Sequence, residues 1–329
     1  MIKLPNLPLV HLRPFAAVED RRPALLVTSR LAWQAVQGDL RGLNVAVVLD
    51  VTEATTAHWD TLDAGRPSGC EVVYAVGGGL AADTAKYLAA RHGLPLVVLP
   101  TALSVDAFIT TASGIRQDGC VVYIETKVPE ALILDLDTIA HAPLAVRAAG
   151  ITDVLSIATG NWDWKFAHEH GRNPAHMPFI PWVSEAAQAI LSGALDCAEA
   201  AGRGDHDGLK ALYDCLALEV QLCNQIGHSR PEEGSEHYFA YAVENVLGHG
   251  LPHGDLVGPG IVQIARLQGQ DTARLEQALA ECHVPLDRIP QPVIAETLRA
   301  LPAYCAHHGL AFGIAHILGA TPADAAIQP

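Results

Sequence analysis

Three consecutive glycines, Gly77–Gly79, follow directly after the apolar run Val72–Val76. The run is rich in β-branched residues, which predicts a strand, and the apolar residues of 80–92 have helical spacing. The pattern therefore predicts a strand, a tight turn and a helix in succession. Bare backbone at such a turn lets a phosphate group approach the main chain, and the first turn of a helix supplies free N–H groups.

The glycine turn has two interpretations. It is a candidate site for the pyrophosphate of a nucleotide, but glycine also occurs at strand–helix junctions simply because the turn is tight. The spacing departs from the G-x-G-x-x-G pattern of dinucleotide-binding folds. A nucleotide site therefore needs support from other parts of the chain.

Short β-branched runs alternate with helical patterns over the first ~150 residues, which predicts strand–helix–strand units and a parallel sheet. The predicted strands are Ala24–Thr28, Asn44–Asp50, Val72–Val76 and Leu96–Leu99, with Val121–Glu125 and Ala131–Asp135 as an extension of the sheet. The predicted helices between them include Arg30–Gln37 and Leu80–His92.

The pattern changes after Gly150, where apolar residues keep helical spacing and β-branched runs become few. The predicted helices there are Ser184–Ala201, Leu209–Gly227, Ser235–Leu247, Leu256–Gln268 and Thr272–Cys282. We therefore expect an α/β domain over residues 1–148 and an all-helical domain over residues 149–329.

Composition excludes several classes of function. The formal net charge of −15 argues against nucleic acid and anionic membranes as partners, since both attract basic surfaces. The seven cysteines show no CxxC pair, which is typical of a reduced intracellular protein. No apolar run reaches the ~18–20 residues that span a bilayer. The sequence predicts a cytoplasmic protein that acts on a small molecule.

Three polar residues of the helical half are candidate metal ligands. Asp153 lies at a predicted helix start, His237 opens a predicted helix, and His253 lies in a predicted tight turn. One carboxylate and two imidazoles can bind a divalent metal and leave a position for a substrate oxygen. Spacing alone leaves open whether His249 replaces His253, and whether Asp153 is only a first-turn carboxylate favoured by the helix dipole.

Several further motifs occur in a fixed order between about residues 70 and 260. They are Gly77-Gly78-Gly79 with Asp83 and Lys86, Pro100–Asp106, Lys127-Val128-Pro129, Gly150–Asp153, Ser229-Arg230-Pro231, Gly234–His237 and His253-Gly254. In this order they resemble the glycerol-1-phosphate dehydrogenase family, within the larger group of iron-containing alcohol dehydrogenases, glycerol dehydrogenases and dehydroquinate synthases. That resemblance implies a Rossmann-like dinucleotide-binding domain, a helical domain and a site in the cleft between them.

The resemblance also implies residues for a cofactor, NAD(H) or NADP(H). The pyrophosphate would lie at the glycine turn and the nicotinamide at the Pro100–Asp106 motif. The implied contacts are Gly77, Gly78, Gly79, Leu80, Ala81, Asp83, Thr101, Ser104 and Thr110. Asp50, at the end of a predicted strand, could accept the adenosine ribose hydroxyls or could be an ordinary strand-end residue.

The metal and substrate residues follow from the same resemblance. Asp153, His237 and His253 would bind one divalent metal, for which zinc, nickel and iron are all suitable. Relatives with a fourth ligand have a histidine where this chain has Ile157, which implies three ligands. Asp106 would hold a substrate hydroxyl.

Lys127 and Tyr241 complete the predicted catalytic residues. Lys127 would lie near the cofactor or an anionic substrate group, or else be a solvated turn residue. Tyr241 follows His237 by four residues, where the family usually has a second histidine that contacts substrate. A phenol donates a hydrogen bond but differs from an imidazole in reach and titration, so the predicted substrate extends to other polyol phosphates and to unphosphorylated carbonyl compounds.

The predicted activity is hydride transfer between a nicotinamide and a small polyol, polyol phosphate or ketone, in a homo-oligomer. One alternative is a sugar phosphate cyclase of the dehydroquinate synthase kind, whose lysine- and arginine-rich phosphate pocket is not evident here. Another is a non-catalytic nucleotide-binding protein, against which the three retained metal ligands argue.

Overall fold

Six parallel strands form the central sheet of the N-terminal half. The computed structural model describes residues 7–319, and its strands in this sheet have the spatial order β1, β8, β5, β4, β2, β3. Their bounds are β1 Leu9–Leu12, β2 Asp20–Thr28, β3 Leu43–Asp50, β4 Val72–Gly77, β5 Leu96–Pro100 and β8 Ala131–Leu134. Strands β6 (Ala112–Gln117) and β7 (Cys120–Glu125) form a separate antiparallel hairpin.

Helices α1 (Arg30–Val36), α2 (Thr56–Ala64) and α3 (Gly79–His92) connect the first strands. Strands β4 and β5 are buried along their whole length, because the sheet is covered on both faces, as is usual for parallel sheets. Thr28 pairs with both Asp50 and Val76, and Gly77 pairs with Pro100. The carboxyl ends of four strands therefore meet at one edge, where α/β folds bind their ligands.

Every described element from Leu136 to His307 is an α-helix. The bounds are α4 Leu136–Ala140, α5 Leu144–Arg147, α6 Ile151–Leu155, α7 Ile157–Glu169, α8 Pro181–Arg203, α9 His206–Ile226, α10 Ser235–Leu247, α11 His253–Leu267, α12 Ala273–Glu281 and α13 Gln291–His307. Among residues 7–319, none of the helices combines the length and the apolarity needed to cross a bilayer.

The two halves meet at Gly150. Its backbone N–H donates to the carbonyl of Leu103, and a Cβ at Gly150 would lie only 2.9 Å from that oxygen. A side chain would therefore separate the halves, because this contact is between main chains. The loop that follows β5 is thus fixed against the start of α6.

The predicted fold class is confirmed: a parallel α/β unit is followed by helices. The predicted strands and helices occur with small shifts at their ends. The strand β8 does extend the sheet, whereas Val121–Glu125 pairs in the separate hairpin and not in the main sheet. The prediction that His253 lies in a tight turn was wrong, because it is the first residue of α11.

Candidate active site

The structure brings the three proposed metal ligands together. One candidate ligand atom from each of Asp153, His237 and His253 lies within 4.8 Å of the others. Nε2 of His253 is 2.8 Å from Oδ1 of Asp153, and the two imidazole centroids are 5.4 Å apart. His249 is exposed, and its Nδ1 lies 3.3 Å from the carbonyl of Gly250. Two nitrogens and one oxygen at this spacing fit a divalent ion with positions left open.

Three helices supply these ligands, all from the helical half. Asp153 lies on α6, His237 in the first turn of α10, and His253 at the start of α11. Helix α11 approaches α10 closely because Gly260 has no side chain: a Cβ there would lie 2.7 Å from the carbonyl oxygen of Glu236. The glycine thus sets the distance between the helices that carry the two histidines.

Glu236 orients the ring of His237. Its Oε1 lies 2.9 Å from Nδ1 of His237 and also accepts a hydrogen bond of 2.6 Å from the N–H of Gly234. A carboxylate on Nδ1 leaves Nε2 as the ligand nitrogen, an arrangement common around metal-binding histidines. Burial lowers the pKa of His237, but the bond to Glu236 and the nearby carboxylates outweigh it and raise that pKa to about 9.

Asp163 holds the start of α10 in place. Its Oδ2 accepts hydrogen bonds from the N–H and the hydroxyl of Ser235, and its Oδ1 accepts one of 2.9 Å from the N–H of Ile314. Burial raises the pKa of this carboxyl although these donors oppose the shift. Asp163 therefore fixes the helix turn that presents His237. Sequence reasoning missed both Asp163 and Glu236, although each is an acid inside a largely apolar segment.

Asp106 lies between the ligand site and the sheet. Its backbone N–H donates to Oδ2 of Asp153 at 2.8 Å. Burial, followed by the charge of Asp153, raises the pKa of the Asp106 carboxyl to about 8. The residue predicted to hold a substrate hydroxyl thus lies directly beside a proposed metal ligand.

The predicted cofactor residues lie at the carboxyl edge of the sheet. Gly77 has φ of +143°, which side chains rarely adopt, and a Cβ at Gly78 would lie 3.0 Å from Oγ of Ser104. A Cβ at Gly79 would lie 2.7 Å from Cγ2 of Val105. The N–H of Thr101 donates to the carbonyl of Gly77 at 3.2 Å. The turns after β4 and β5 therefore touch, and the glycines leave a side-chain-free cradle at the start of α3.

Leu80 and Ala81 form the first turn of α3 behind these glycines. Asp50 lies at the same edge, where its Oδ1 accepts a hydrogen bond of 2.9 Å from the N–H of Arg30. It thus satisfies one free N–H of α1, as an ordinary strand-end residue does, and its position at the edge also suits a ribose contact.

Two other predicted cofactor residues, Asp83 and Thr110, contact the ammonium of Lys86. Lys86 is fully buried, and its Nζ donates to Oγ1 of Thr110 at 2.9 Å and to the carbonyl of Ala112. It also lies 2.9 Å from Oδ1 of Asp83, whose Oδ2 accepts from the N–H of Gly114. Asp83 and Thr110 therefore tie α3 to the β6–β7 hairpin, and sequence reasoning did not foresee this use of their side chains.

Lys127 is not brought to the cleft. Its Nζ donates to the carbonyl of Leu94 at 2.7 Å and pairs with Oε1 of Glu130 at 2.6 Å. Leu94 immediately precedes β5, so this lysine lies at the amino end of the strand, whereas the glycine cradle lies at the carboxyl end of the sheet. The alternative interpretation was a solvated turn lysine, and the side chain is indeed partly exposed, although its ammonium is engaged by these two contacts.

Tyr241 is buried one helical turn after His237. Its hydroxyl donates to Oε1 of Glu233 at 2.8 Å and lies 3.1 Å from the hydroxyl of Tyr123. The ring centroids of His237 and Tyr241 are 6.1 Å apart. Burial and the charge of Glu233 raise the pKa of Tyr241 well above its usual value, so the phenol stays protonated at neutral pH.

We use the name acidic wall for three glutamates: Glu233, which accepts the hydrogen bond of Tyr241, its chain neighbour Glu232, and Glu219 on α9. Glu219 lies on α9 and is 1% exposed, with neither carboxylate oxygen hydrogen-bonded among the described residues. Oε2 of Glu232 likewise has no hydrogen-bond partner among the described residues. Sequence reasoning missed this wall, although a glutamate inside the apolar face of α9 and two adjacent acids before Gly234 were visible signals.

Comparisons with known proteins identify relatives in sequence and in fold. The family model described as iron-containing alcohol dehydrogenase matches residues 11–143. The chain is 28% identical over 276 residues to glycerol-1-phosphate dehydrogenase [NAD(P)+] of Sulfolobus acidocaldarius, covering 80% of this chain and 76% of that one. The corresponding protein of Aeropyrum pernix is 33% identical, with 65% and 60% covered.

Among solved structures, a probable glycerol dehydrogenase from Sinorhizobium meliloti 1021 has a TM-score of 0.68 at 20% identity, covering 93% of this chain and 91% of that chain. An iron-containing alcohol dehydrogenase has a TM-score of 0.62 at 15% identity, with 96% and 99% covered. Both structures therefore share the fold of this chain over the α/β unit and over the helical half.

Proposed function

We propose, from the premise that the chain belongs to the iron-containing alcohol dehydrogenase family, that it is a metal-dependent, NAD(P)-linked oxidoreductase. It transfers a hydride between the nicotinamide and a small polyol or ketone. Relatives are named glycerol-1-phosphate dehydrogenase [NAD(P)+], which supports the cofactor and the alcohol–carbonyl chemistry.

One observation carries this proposal: the ligand triad lies directly against the loop that leaves the cofactor edge. The N–H of Asp106 donates to Oδ2 of Asp153 at 2.8 Å, and Thr101, at the start of the same loop, bonds to Gly77. A nicotinamide held along this loop would lie beside the three proposed ligands. Positioning of the two reactants is the main contribution that such a cleft makes.

Asp153, His237 and His253 fit a divalent metal by donor type and spacing. A zinc, nickel or iron ion held there supplies Lewis acidity to a substrate oxygen. Glu236 keeps the ring of His237 in the ligand tautomer through its contact with Nδ1. Asp106 accepts a hydrogen bond from a second substrate hydroxyl, or donates one when protonated, and so fixes the substrate carbon toward the hydride donor.

The sugar phosphate cyclase alternative gains no support from the site. That chemistry needs cations that hold a phosphate leaving group, and the residues hydrogen-bonded to Asp153 and His237, namely Asp106 and Glu236, supply none.

The test is metal-reconstituted turnover. Protein stripped with a chelator and reloaded separately with zinc, nickel or iron is given NAD(H) or NADP(H) and a panel of small polyols and ketones. We expect metal-dependent change at the NADH absorbance band, abolished in His253→Ala and retained in His249→Ala. A panel without any metal-dependent nicotinamide turnover would contradict the proposed function.

A further inference from the structure

Asp163 joins three separate segments of the chain through one carboxylate. The residue lies on α7 and is fully buried. Its Oδ2 accepts from the N–H of Ser235 at 2.8 Å and from the hydroxyl of the same residue, and its Oδ1 accepts from the N–H of Ile314 at 2.9 Å and from Nε2 of Gln268 at 3.1 Å. Ser235 begins α10, Gln268 follows α11, and Ile314 lies in the turn of residues 312–315, which we call the C-terminal turn. A carboxylate has about four acceptor positions, and donors fill them here.

Two glycines make room for this carboxylate. A Cβ at Gly313 would collide with Oδ2 of Asp163, and a Cβ at Gly234 would lie 2.9 Å from the same oxygen. Gly234 directly precedes α10, and Gly313 directly precedes Ile314. Both segments therefore approach the carboxylate as closely as bare backbone allows.

Ser235 connects the C-terminal turn to the part of α10 that carries His237. Its hydroxyl donates to Asp163 and accepts from the N–H of Ala315 at 3.0 Å. His237 follows two residues later, in the same helical turn. The segment that presents this imidazole is therefore held from outside the site, by Asp163 and by the main chain of the C-terminal turn.

The other two proposed ligands lack this support. Asp153 accepts from the N–H of Asp106 and contacts the ring of His253. Within residues 7–319, neither ligand hydrogen-bonds to Asp163 or to the C-terminal turn. Loss of the support should therefore displace one ligand of three and leave the other two in place.

We infer that Asp163 and the C-terminal turn are positioning elements for the metal site, which hold His237 where its ring can bind the ion. The inference rests on the proposed function, because it takes His237 as a ligand, and it extends the site to a segment that contributes no ligand itself. Groups that orient a metal-binding histidine typically change metal affinity by roughly ten- to hundredfold. Asp163 acts through the main chain of α10, and so it fixes the helical turn as well as the ring.

Zinc affinity of the chelator-stripped protein, measured by competition with a chromophoric chelator, tests the inference. Asp163→Asn puts amide donors where the partners are themselves donors, and Ser235→Ala removes the hydroxyl that bridges Asp163 and Ala315. We expect each variant to bind zinc roughly tenfold more weakly, or worse. The exposed Asp196→Asn and Ser192→Ala, both on α8, are the matched controls and should bind zinc as wild type does.

A double variant separates positioning from general structural support. If Asp163 acts through His237, Asp163→Asn should have no further effect on zinc affinity once His237→Ala has removed the ring. An equal loss in both backgrounds would show that Asp163 only stabilises the helical half, and would overturn the inference. The cobalt-loaded Asp163→Asn protein should also differ from wild type in visible absorption, because these bands report the ligand geometry, and an identical spectrum would contradict the inference.

A folding control keeps the test decisive. Thermal unfolding of the metal-free proteins shows which variants fold, and Ser235→Ala, which removes a single hydroxyl, decides the matter if Asp163→Asn does not. Wild-type zinc affinity in the folded variants would refute the positioning role. Absence of nicotinamide turnover with every metal contradicts the proposed function alone, since zinc affinity is measured without substrate or nucleotide.

Discussion

Asp153 uses both carboxylate oxygens at the junction of the two halves. Oδ1 faces His253 and Oδ2 accepts from the N–H of Asp106, each at 2.8 Å. A single residue therefore belongs to the proposed ligand set and holds the loop from the cofactor edge. Substitution here should affect more than metal content, because the loop loses its acceptor as well.

The ligand triad can be tested one residue at a time. We expect Asp153→Asn, His237→Ala and His253→Ala each to lower bound metal and activity together, because two remaining donors hold an ion weakly. His249→Ala is the control and should keep its metal, since that ring is exposed and apart from the triad. Elemental analysis of the purified proteins measures this, and full occupancy in His253→Ala would refute the ligand set.

Tyr241 offers a second test at the same scale. Tyr241→Phe removes the hydrogen bond of 2.8 Å to Glu233 and leaves Oε1 of that carboxylate without this donor. A lost hydrogen bond to a charged group costs on the order of 1.5–3 kcal/mol, so we expect kcat/KM to fall roughly ten- to hundredfold. Tyr238→Phe, on the same helix but facing Arg230, is the control. Steady-state kinetics within twofold of wild type would show that the phenol has no part in substrate binding.

Tyr241→His introduces the side chain that the resemblance to glycerol-1-phosphate dehydrogenases implies at this position. If the site otherwise suits a phosphorylated substrate, this variant should gain activity on dihydroxyacetone phosphate. If the phenol instead suits a different substrate, the variant should lose activity on the compound that wild type uses best. Kinetics of the variant on both compounds decide between these outcomes.

Among the elements, the turn between β4 and α3 is the most constrained. Gly78→Val would place a branched side chain where a Cβ already comes within 3.0 Å of Ser104. We expect it to abolish NAD(H) binding and to leave the metal in place, because the backbone cradle is filled while the three proposed ligands lie on other elements, α6, α10 and α11. Calorimetric titration with NADH measures this. Gly38→Val, with nothing within 4 Å of its Cβ, is the control, and undiminished NADH affinity in Gly78→Val would limit the glycines to a structural role.

Helix α7 and the loop of the acidic wall form a second constrained contact. Gly160→Ala inserts a methyl group 2.8 Å from the main chain of Glu232 and Glu233. Overpacking of this kind costs about 1–3 kcal/mol of unfolding free energy. Urea unfolding against Gly38→Ala should show that loss, together with a raised KM as the loop shifts. A variant as stable as its control would mean that the loop moves freely.

The elements that could be predicted from sequence are those with a buried periodic pattern. Strands β4 and β5 and helices α8, α9 and α10 carry continuous apolar runs or a clear helical stripe. Strand β1 was missed because Leu9–Leu12 is exposed along its length and lies at the sheet edge. Strand β6 was missed because its sequence, ASGIRQ, lacks alternation.

The site was predictable only in part. The triad could be proposed because one aspartate and two histidines stood in recognisable motifs. Glu219 could not be placed, because the elements that bury its side of α9 are distant from it in sequence. Lys127 was proposed for the cleft from its motif, but its salt bridge to Glu130 keeps it at the other end of β5.

For the whole molecule, the proposed metal joins three helices of one half. Binding to the native state alone stabilises a protein by RT ln(1 + [L]/Kd), about 2.7 kcal/mol at a hundredfold excess over Kd. We therefore expect a chelator to lower the thermal midpoint of wild type and to leave that of His253→Ala unchanged. Differential scanning fluorimetry measures both. A chelator shift of equal size in the variant would mean that stabilisation arises from another site.

The two contacts of Asp153, with the ring of His253 and with the N–H of Asp106, have a thermodynamic consequence. The residue that would hold the metal also anchors, through Asp106, the segment that begins beside the nucleotide cradle. Whatever factor the metal adds to nucleotide affinity, the nucleotide must add to metal affinity, since the two binding equilibria close a cycle. A cell that raises its nicotinamide pool would thereby also raise the fraction of this protein that carries metal, so that the supply of one cofactor governs the retention of the other.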